Sequence, residues 1–462
     1  MPTDLTKFTV SPNHSLHQTM QTIDVNGYGI ALVIDPNQTL LGVVTDGDIR
    51  KSIINGTPLH VPITQVMNPS PYVLEENSNI PELFSIVLDK KIRGLPVIDK
   101  DKKVEDLLLG EEIAHVFSKR ITQSLQGNAK RKHVLIVGGA GYIGSVLARI
   151  LLKEGHKVRV LDKLMYSSTS LESLKEDKNF KLIVGDIGDI ATVTNAIKDV
   201  DVVVQLAEIV GDPACAVDPQ KTQQINHLST LLLANVCKYF QVNRFIYASS
   251  CSVYGESENN ELLHEQSTQN PVSLYARMKQ ESEKILLNMN DNLFSPTIVR
   301  FATVFGKSPR MRFDLVVNTL TIKAIKEGKI TIFGGDQWRP FVHVSDAARA
   351  LSLLVDAPLH KIKGEIFNVG SSHNNFTIND IGKMVKEVNP ASELVIEDKN
   401  VDKRNYKVDF SKIEKSLGYK ALVDVKEGIK EMSGAIKDSQ HDDYLEDKYY
   451  NDRVCKKELS FH

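Results

Sequence analysis

From residue 133 to about residue 250, apolar residues fall into short β-branched runs separated by stretches of helical period. Val134–Val137 reads as a buried strand that breaks into glycines. Ile143, Leu147, Ile150 and Leu151 then recur at helical spacing. Further strands are expected at Lys157–Leu161, Lys181–Val184, Asp201–Leu206 and Arg244–Ala248. Strand and helix in strict alternation predict an α/β fold with a doubly wound parallel sheet, whose ligand crevice lies beyond the C-terminal strand ends. Periodicity loosens over residues 310–435, where a smaller substrate lobe is expected over that crevice. Residues 1–120 form an α+β unit of their own, duplicated at a period of about 60 residues. Its first half reads as helix (His14–Asn26), strand (Gly29–Ile34), turn, strand (Leu41–Thr45) and a helix from Asp48. Its second half reads as a helix (Ser78–Lys90), a strand (Gly94–Ile98), a turn and an apolar stretch (Val104–Leu109).

Composition changes this picture little. The 462 residues are too many for one core. A net charge of −2 argues against a nucleic-acid surface. The four cysteines have no paired spacing and read as free thiols, neither a disulfide frame nor a metal site. No leader and no apolar run of membrane length is legible, so a soluble cytoplasmic protein is expected. Residues 121–132, polar and ending in a basic cluster, read as a linker. Residues 436–462 read as a charged, aromatic-interleaved tail, either packed on a partner or frayed.

The glycine turn carries the first chemistry. Gly139, Gly141 and Gly144 fit G-x-G-x-x-G, and Gly138 sets up the related G-x-x-G-x-x-G spacing. Such a turn offers bare amides at a helix N-terminus to a pyrophosphate. Asp162, about 20 residues on at the next strand end, can accept both ribose hydroxyls of NAD and would repel the 2′-phosphate of NADP. Asp186, Glu208 and Ser250 stand at later strand ends and are candidates for the same cleft. Tyr275 and Lys279, at i and i+4, share one face of a helix. An ammonium beside a phenol favours the phenolate, which makes Tyr275 a proton acceptor, and Ser250 can bond the same substrate oxygen.

These phrases in this order resemble the extended short-chain dehydrogenase/reductase family, particularly nucleotide-sugar epimerases and dehydratases. "GGAGYIGS", "VLDKL", "FIYASSCSVYGE", "SLYARMKQESEK", "VRFATVFG" and "RPFVHVSDAARA" carry the resemblance, which spans residues 133–435. It implies a Rossmann-type domain binding NAD through Gly138, Gly141, Tyr142, Ile143, Gly144, Asp162, Asp186, Ile187, Leu206, Ala207 and Asn226. It further implies Tyr275 as base, Lys279 on the nicotinamide ribose and Ser250 polarising the sugar hydroxyl. Arg339 would pair with the substrate diphosphate. The activity implied is nucleotide-sugar epimerisation through a transient keto sugar, with NAD retained. A 4,6-dehydratase, a keto-sugar reductase and an inactive nucleotide-sensing scaffold are the alternatives.

The chain departs from that pattern in places. Ser250-Cys251-Ser252 lacks the acid and base groups that dehydration needs. Glu208 stands where relatives carry alanine and is expected to face nicotinamide or substrate. Arg310 and Arg312 are candidates for phosphate contacts or for the surface. Cys251 reads as a packed thiol.

Residues 1–120 resemble a tandem CBS-domain pair, in "GIALVIDPNQTLLGVVTDGDIR" and "RGLPVIDKDKK". Thr45 and Asp48 would bind an adenosine ribose there, although Asp48 could equally just cap its helix. The second copy has Leu109 and Glu112 instead, so at most one adenine-nucleotide site is expected. Both resemblances imply a homodimer or higher homo-oligomer.

Overall fold

A computed structural model describes residues 4–459, apart from 76–77, 79–82, 84–85, 88, 91, 111, 114–115, 118–130, 167–168, 258–260, 399–401, 403 and 439–442. The chain divides into two compact units, Met1–Lys130 and Arg131–His462. All of the linker expected at 121–132 except Arg131 and Lys132, and most of the helix expected at Ser78–Lys90, lie outside the described residues.

The first unit contains the duplication. Ile30–Ile34 pairs antiparallel with Leu40–Thr45, and Gly94–Ile98 pairs in the same way with Val104–Leu109. The two turns repeat each other atom for atom. Asp35 Oδ1 accepts the amides of Asn37 and Thr39, and Asp99 Oδ1 those of Asp101 and Lys103, each at 2.8 Å. Gln38 and Lys102 both adopt positive φ (68° and 63°). Helix Leu16–Asn26 begins two residues later than its apolar period suggests, because Ser15 and Gln18 form a capping box. Helix Asp46–Ile54 begins two residues earlier than expected, capped by Thr45.

In the second unit seven strands form one all-parallel sheet: β1 (His133–Val137), β2 (Lys157–Asp162), β3 (Phe180–Val184), β4 (Val202–Gln205), β5 (Arg244–Ser250), β6 (Ser295–Phe301) and β7 (Ile366–Val369). Their order across the sheet is β7-β6-β5-β4-β1-β2-β3. The order reverses between β1 and β4, which is where a doubly wound sheet opens its crevice. Both faces are covered, so β4 and β6 are buried at every position, including the polar Gln205, Ser295, Thr297 and Arg300. Helix α1 (Gly144–Lys153) follows β1, and helix α2 (Leu274–Asn288) lies against β5.

Beyond β6 the chain builds the smaller lobe from short strands and helices around Phe305, Val317, Ile332, Phe341, Ile381 and Ile429. The boundary expected at residue 435 falls inside helix Val425–Asp438. The segment read as a tail folds onto this same unit. Tyr449 packs on Phe313 with ring centroids 5.0 Å apart, beside Met311, Met432 and Ile436. Helix α3 (Asn451–Leu459) then places Cys455 among Ile209, Ala214 and Cys215. All four cysteines are free and buried. Among the described residues no helix is long and apolar enough to cross a membrane.

Candidate active site

The β1–α1 turn demands its glycines. Gly138 has φ +85°, and a Cβ there would lie 2.6 Å from the Ala207 amide nitrogen. At Gly144 a Cβ would lie 2.5 Å from the Gly138 carbonyl oxygen. The turn is thereby pressed against the end of β4. A Cβ at Gly141 would meet only the Gly138 oxygen, at 3.1 Å, and the loop otherwise opens to the cleft. Gly138→Ala is expected to destabilise the protein by about 1–3 kcal/mol, because backbone must move on both sides. A lowered urea midpoint together with loss of copurifying NAD checks it.

The turn borders a cavity of about 600 Å³, a size suited to a small-molecule ligand. Gly138, Gly141, Tyr142, Ile143 and Gly144 line it, with Leu206 and Glu208 beyond β4, Ser250 at the end of β5, and Tyr275 and Lys279 on α2. Thr303, Arg310, Arg312, Arg339 and Arg404 face it from the smaller lobe, and Asn451 and Asp452 from α3. Residues far apart in sequence thus converge on one crevice.

The cofactor candidates divide into two groups. Asp162 accepts the amides of Ala140 (2.9 Å) and Leu164 (2.8 Å), which ties β2 to the glycine turn. Burial pushes its carboxyl above the usual range against those bonds. Asp186 pairs with Lys163 at 3.2 Å and accepts the Gly188 amide. Burial works against it, but these contacts hold its carboxyl below the usual range. Tyr142 turns its hydroxyl to the Gly306 carbonyl and Asn318, so only its backbone remains for a cofactor. Ile187 belongs to the core, and Ala207 packs beside it. Asn226 does not project into the cleft. It bonds both the amide and the carbonyl of Ile209 at 2.8 Å and so braces the loop after β4.

At the chemical end, Ser250 caps the short helix that follows it and accepts the Ser252 amide at 3.1 Å. Ser252 Oγ is buried and, among the described residues, has no hydrogen-bond partner. Cys251 is packed, with its thiol bonded to the Arg300 carbonyl. Burial pushes that thiol far above the ordinary range, which suits a structural thiol.

The charged groups behind this wall are paired with one another. Glu208 borders the cavity, but its carboxylate is already committed. Oε2 pairs with Lys279 Nζ at 2.6 Å, and Oε1 accepts the Tyr247 hydroxyl at 2.8 Å. The i,i+4 lysine also does not make Tyr275 a ready phenolate. Its ammonium lies 5.6 Å from the Tyr275 ring centroid with Glu208 as its counter-charge. Burial first, and the Glu208 charge second, raise the Tyr275 phenol well above its usual value.

The arginines expected at phosphate are all buried and partnered. Arg310 stacks on Tyr166 at 4.4 Å and donates to Asn451 Oδ1 at 2.6 Å. Burial and the neighbouring Arg312 bring it down to about 10, so it stays charged at neutral pH. Arg312 pairs with Asp314 at 2.8 Å, and Arg339 with Asp402 at 2.9 Å. Arg404 bridges Asp402 and Asp212. Arg404, Asp402, Tyr247 and Asn451 escaped the sequence reading. Tyr247 lies within the phrase FIYASSCSVYGE, and Asp402 and Arg404 lie in a charged run; Asn451 carries no comparable signal.

A glycine turn at a sheet's switch point with a Ser/Tyr/Lys wall beside it defines a dinucleotide-dependent enzyme of the doubly wound class. The profile described as the NAD dependent epimerase/dehydratase family matches residues 134–370, and CBS domain profiles match 3–55 and 63–119. The chain belongs to the NAD-dependent epimerase/dehydratase family and carries two CBS repeats ahead of the catalytic unit. It is 31% identical to the UDP-glucuronate 4-epimerase of Thermodesulfobacterium geofontis over 314 residues, 64% of this chain and 94% of that protein. It is 28% identical to the dTDP-D-glucose 4,6-dehydratase of Dictyostelium discoideum over 274 residues, 55% and 61% of the two chains. The crystal structure of UDP-glucuronic acid 4-epimerase from Bacillus cereus, in complex with UDP-glucuronic acid and NAD, superposes with a TM-score of 0.61 at 28% identity. That match covers 66% of this chain and 99% of the other.

Proposed function

We propose that this protein is a nucleotide-sugar 4-epimerase that works through a transient keto sugar and is regulated at its CBS unit by an adenine nucleotide. The observation that carries the reading is one cavity wall formed by Ser250, Tyr275 and Lys279, next to the glycine turn and opposite four arginines. The open glycine cradle and the Asp162 carboxylate fit NAD. Gly138, Gly141 and Gly144 would hold its pyrophosphate, Asp162 its adenosine ribose, and Lys279 its nicotinamide ribose. Bound there, NAD supplies the hydride acceptor and donor. Tyr275 takes the proton from the C4 hydroxyl and returns it to the epimer. Ser250 hydrogen-bonds the same oxygen and fixes its direction. Arg310, whose partner is the neutral Asn451, supplies positive charge for a diphosphate, while Arg312, Arg339 and Arg404, each paired with an aspartate, would add donors on exchanging those partners; the UDP-sugars of the relatives make a uridine nucleotide the first substrate to test.

Dehydration is disfavoured, because the Ser250–Ser252 triplet holds no carboxylate and Glu208 is occupied by Lys279. The test is incubation with UDP-, GDP-, CDP-, ADP- and dTDP-sugars followed by proton NMR. A C4 epimer without net NADH change supports the reading. A 4-keto-6-deoxy product, or stoichiometric NADH change, replaces it with the dehydratase or the reductase. No turnover on any sugar, despite bound NAD and added adenine nucleotide, leaves the scaffold.

In the CBS unit a cavity of about 480 Å³ is lined by Tyr28, Thr45, Asp48, Arg50, Lys90 and Arg93. Its basic residues suit phosphates. Thr45 and Asp48 already bond each other in a capping box, with Asp48 Oδ2 at 2.7 Å from Thr45 Oγ1, so a ribose would add to that pair. In the second copy Glu112 accepts the Leu109 amide at 3.3 Å and takes the same capping place. AMP, ADP or ATP is expected to raise the melting temperature of the full chain. Saturation at 100 times Kd stabilises by about 2.7 kcal/mol. No shift with any of the three assigns the unit to docking alone.

A further inference from the structure

Lys279 and Glu208 form a buried ion pair beside Tyr275. Their side chains are 5% and 2% exposed, so neither charge is balanced by water. Lys279 Nζ also donates to the Ala248 carbonyl and lies over the Tyr247 ring at 4.8 Å. Tyr247, fully buried on β5, donates to the other Glu208 oxygen and locks that carboxylate's plane. Lys279 is therefore held on three sides. Its ammonium gives donors to Glu208 and Ala248, and the residue lines the cavity beside Tyr275.

We propose that Glu208 is a positioning residue that pins the Lys279 ammonium beneath Tyr275 and governs when the Tyr275 hydroxyl releases its proton. This rests on Tyr275 being the base of the proposed reaction. The electrostatic argument is one of cluster charge. With Glu208 ionised, Lys279, Glu208 and neutral Tyr275 sum to zero, so losing the phenol proton creates a net buried negative charge. With glutamine at 208 the same group starts at plus one, and losing that proton brings it to neutrality. Burial makes the difference large, because little solvent screens it. Other charged or titratable groups that face Tyr275 are Asp212, Cys215 and Arg312, with Tyr247, held protonated as the donor to Glu208, and Cys455 in the same cluster. Asp212 is paired with Arg404, and Arg312 with Asp314. Burial holds the Cys215 thiol protonated, raised to about 12. Glu208 is thus the carboxylate in this group whose counter-ion is the catalytic lysine itself. It also gives a physical reason for a carboxylate at the end of β4.

The test is carbon-13 NMR of the intact protein labelled at tyrosine Cζ, with Tyr275→Phe assigning the resonance, titrated in wild type, Glu208→Gln and Glu208→Asp. Glu208→Gln is expected to weaken the phenol's hold on its proton about tenfold or more, and Glu208→Asp to restore most of it. Where a nucleotide sugar turns over, the acid limb of kcat/KM is expected to move to lower pH by the same factor in Glu208→Gln. An unchanged Tyr275 titration in Glu208→Gln, with or without a loss of thermal stability, overturns the proposal. So does a titration that moves to higher pH. The NMR readout needs no turnover. Failure of the epimerase reading therefore shows in the sugar panel and failure of this one in the titration.

Discussion

Tyr275→Phe is expected to lower kcat about 10²–10⁴-fold while leaving stability within about 0.5 kcal/mol of wild type. The substitution removes one oxygen. Among the described residues that hydroxyl has no hydrogen-bond partner, so its loss leaves no buried group unsatisfied. The ring, its packing near Cys215 and Ile209, and the contact with Lys279 all remain. Bound NAD should accordingly survive, and that separates loss of chemistry from loss of cofactor. The wild-type rate carries its own signature. Burial and then Glu208 raise the phenol, so the proton-accepting form is scarce at neutral pH and grows as pH rises. Activity should climb with pH on the acid side, and the Phe variant should lose that limb. A fall of less than tenfold, or a limb that persists in the variant, would remove Tyr275 from the role of base.

How far the sequence led depends on where each contact comes from. The glycine turn, Asp162, Ser250 and the Tyr275/Lys279 pair were legible because each is local: a strand end, a turn, or one helix face. The strand alternation likewise led to the parallel sheet, with ends displaced by only a residue or two. What could not be read is the second partner of each side chain. Lys279 meets Glu208 because β4 and β5 are neighbours in the sheet, and no spacing along the chain encodes that. The same holds for Arg404, which reaches the cleft from a loop between strand Glu393–Glu397 and strand Lys407–Val408, and for Asn451, which bonds Arg310 and the Val210 carbonyl across 141 and 241 residues of chain. Asn226 shows the converse. The resemblance implies a place near the cofactor for it, yet its side-chain amide is consumed by the Ile209 backbone. Spacing locates a residue, whereas burial decides its proton affinity, and burial is a property of the packed chain.

Glu283→Ala should give the largest loss of stability, about 3–5 kcal/mol, read as a lowered denaturant midpoint. Glu283 lies on α2, one helical turn beyond Lys279, and like it reaches the end of β5. Its carboxylate takes Arg300 side-on, with Nη2 at 2.7 Å from Oε2 and Nε at 3.0 Å from Oε1. It also accepts Ser249 Oγ and Gln269 Nε2. Arg300 is 1% exposed and completes its shell with the Tyr254 hydroxyl (3.0 Å) and the Glu265 carbonyl (3.1 Å). Alanine at 283 strands that guanidinium in the core with no counter-charge, and a buried arginine cannot escape by losing its proton. Replacing both partners, Glu283→Leu with Arg300→Met, removes the charge along with its partner and should recover most of the loss. A single substitution costing under 1 kcal/mol would mean that water reaches Arg300. A double variant that is stable but slow would show a second role for the pair: it ties α2 to β5 and β6, and so holds Tyr275 and Lys279 in register with Ser250.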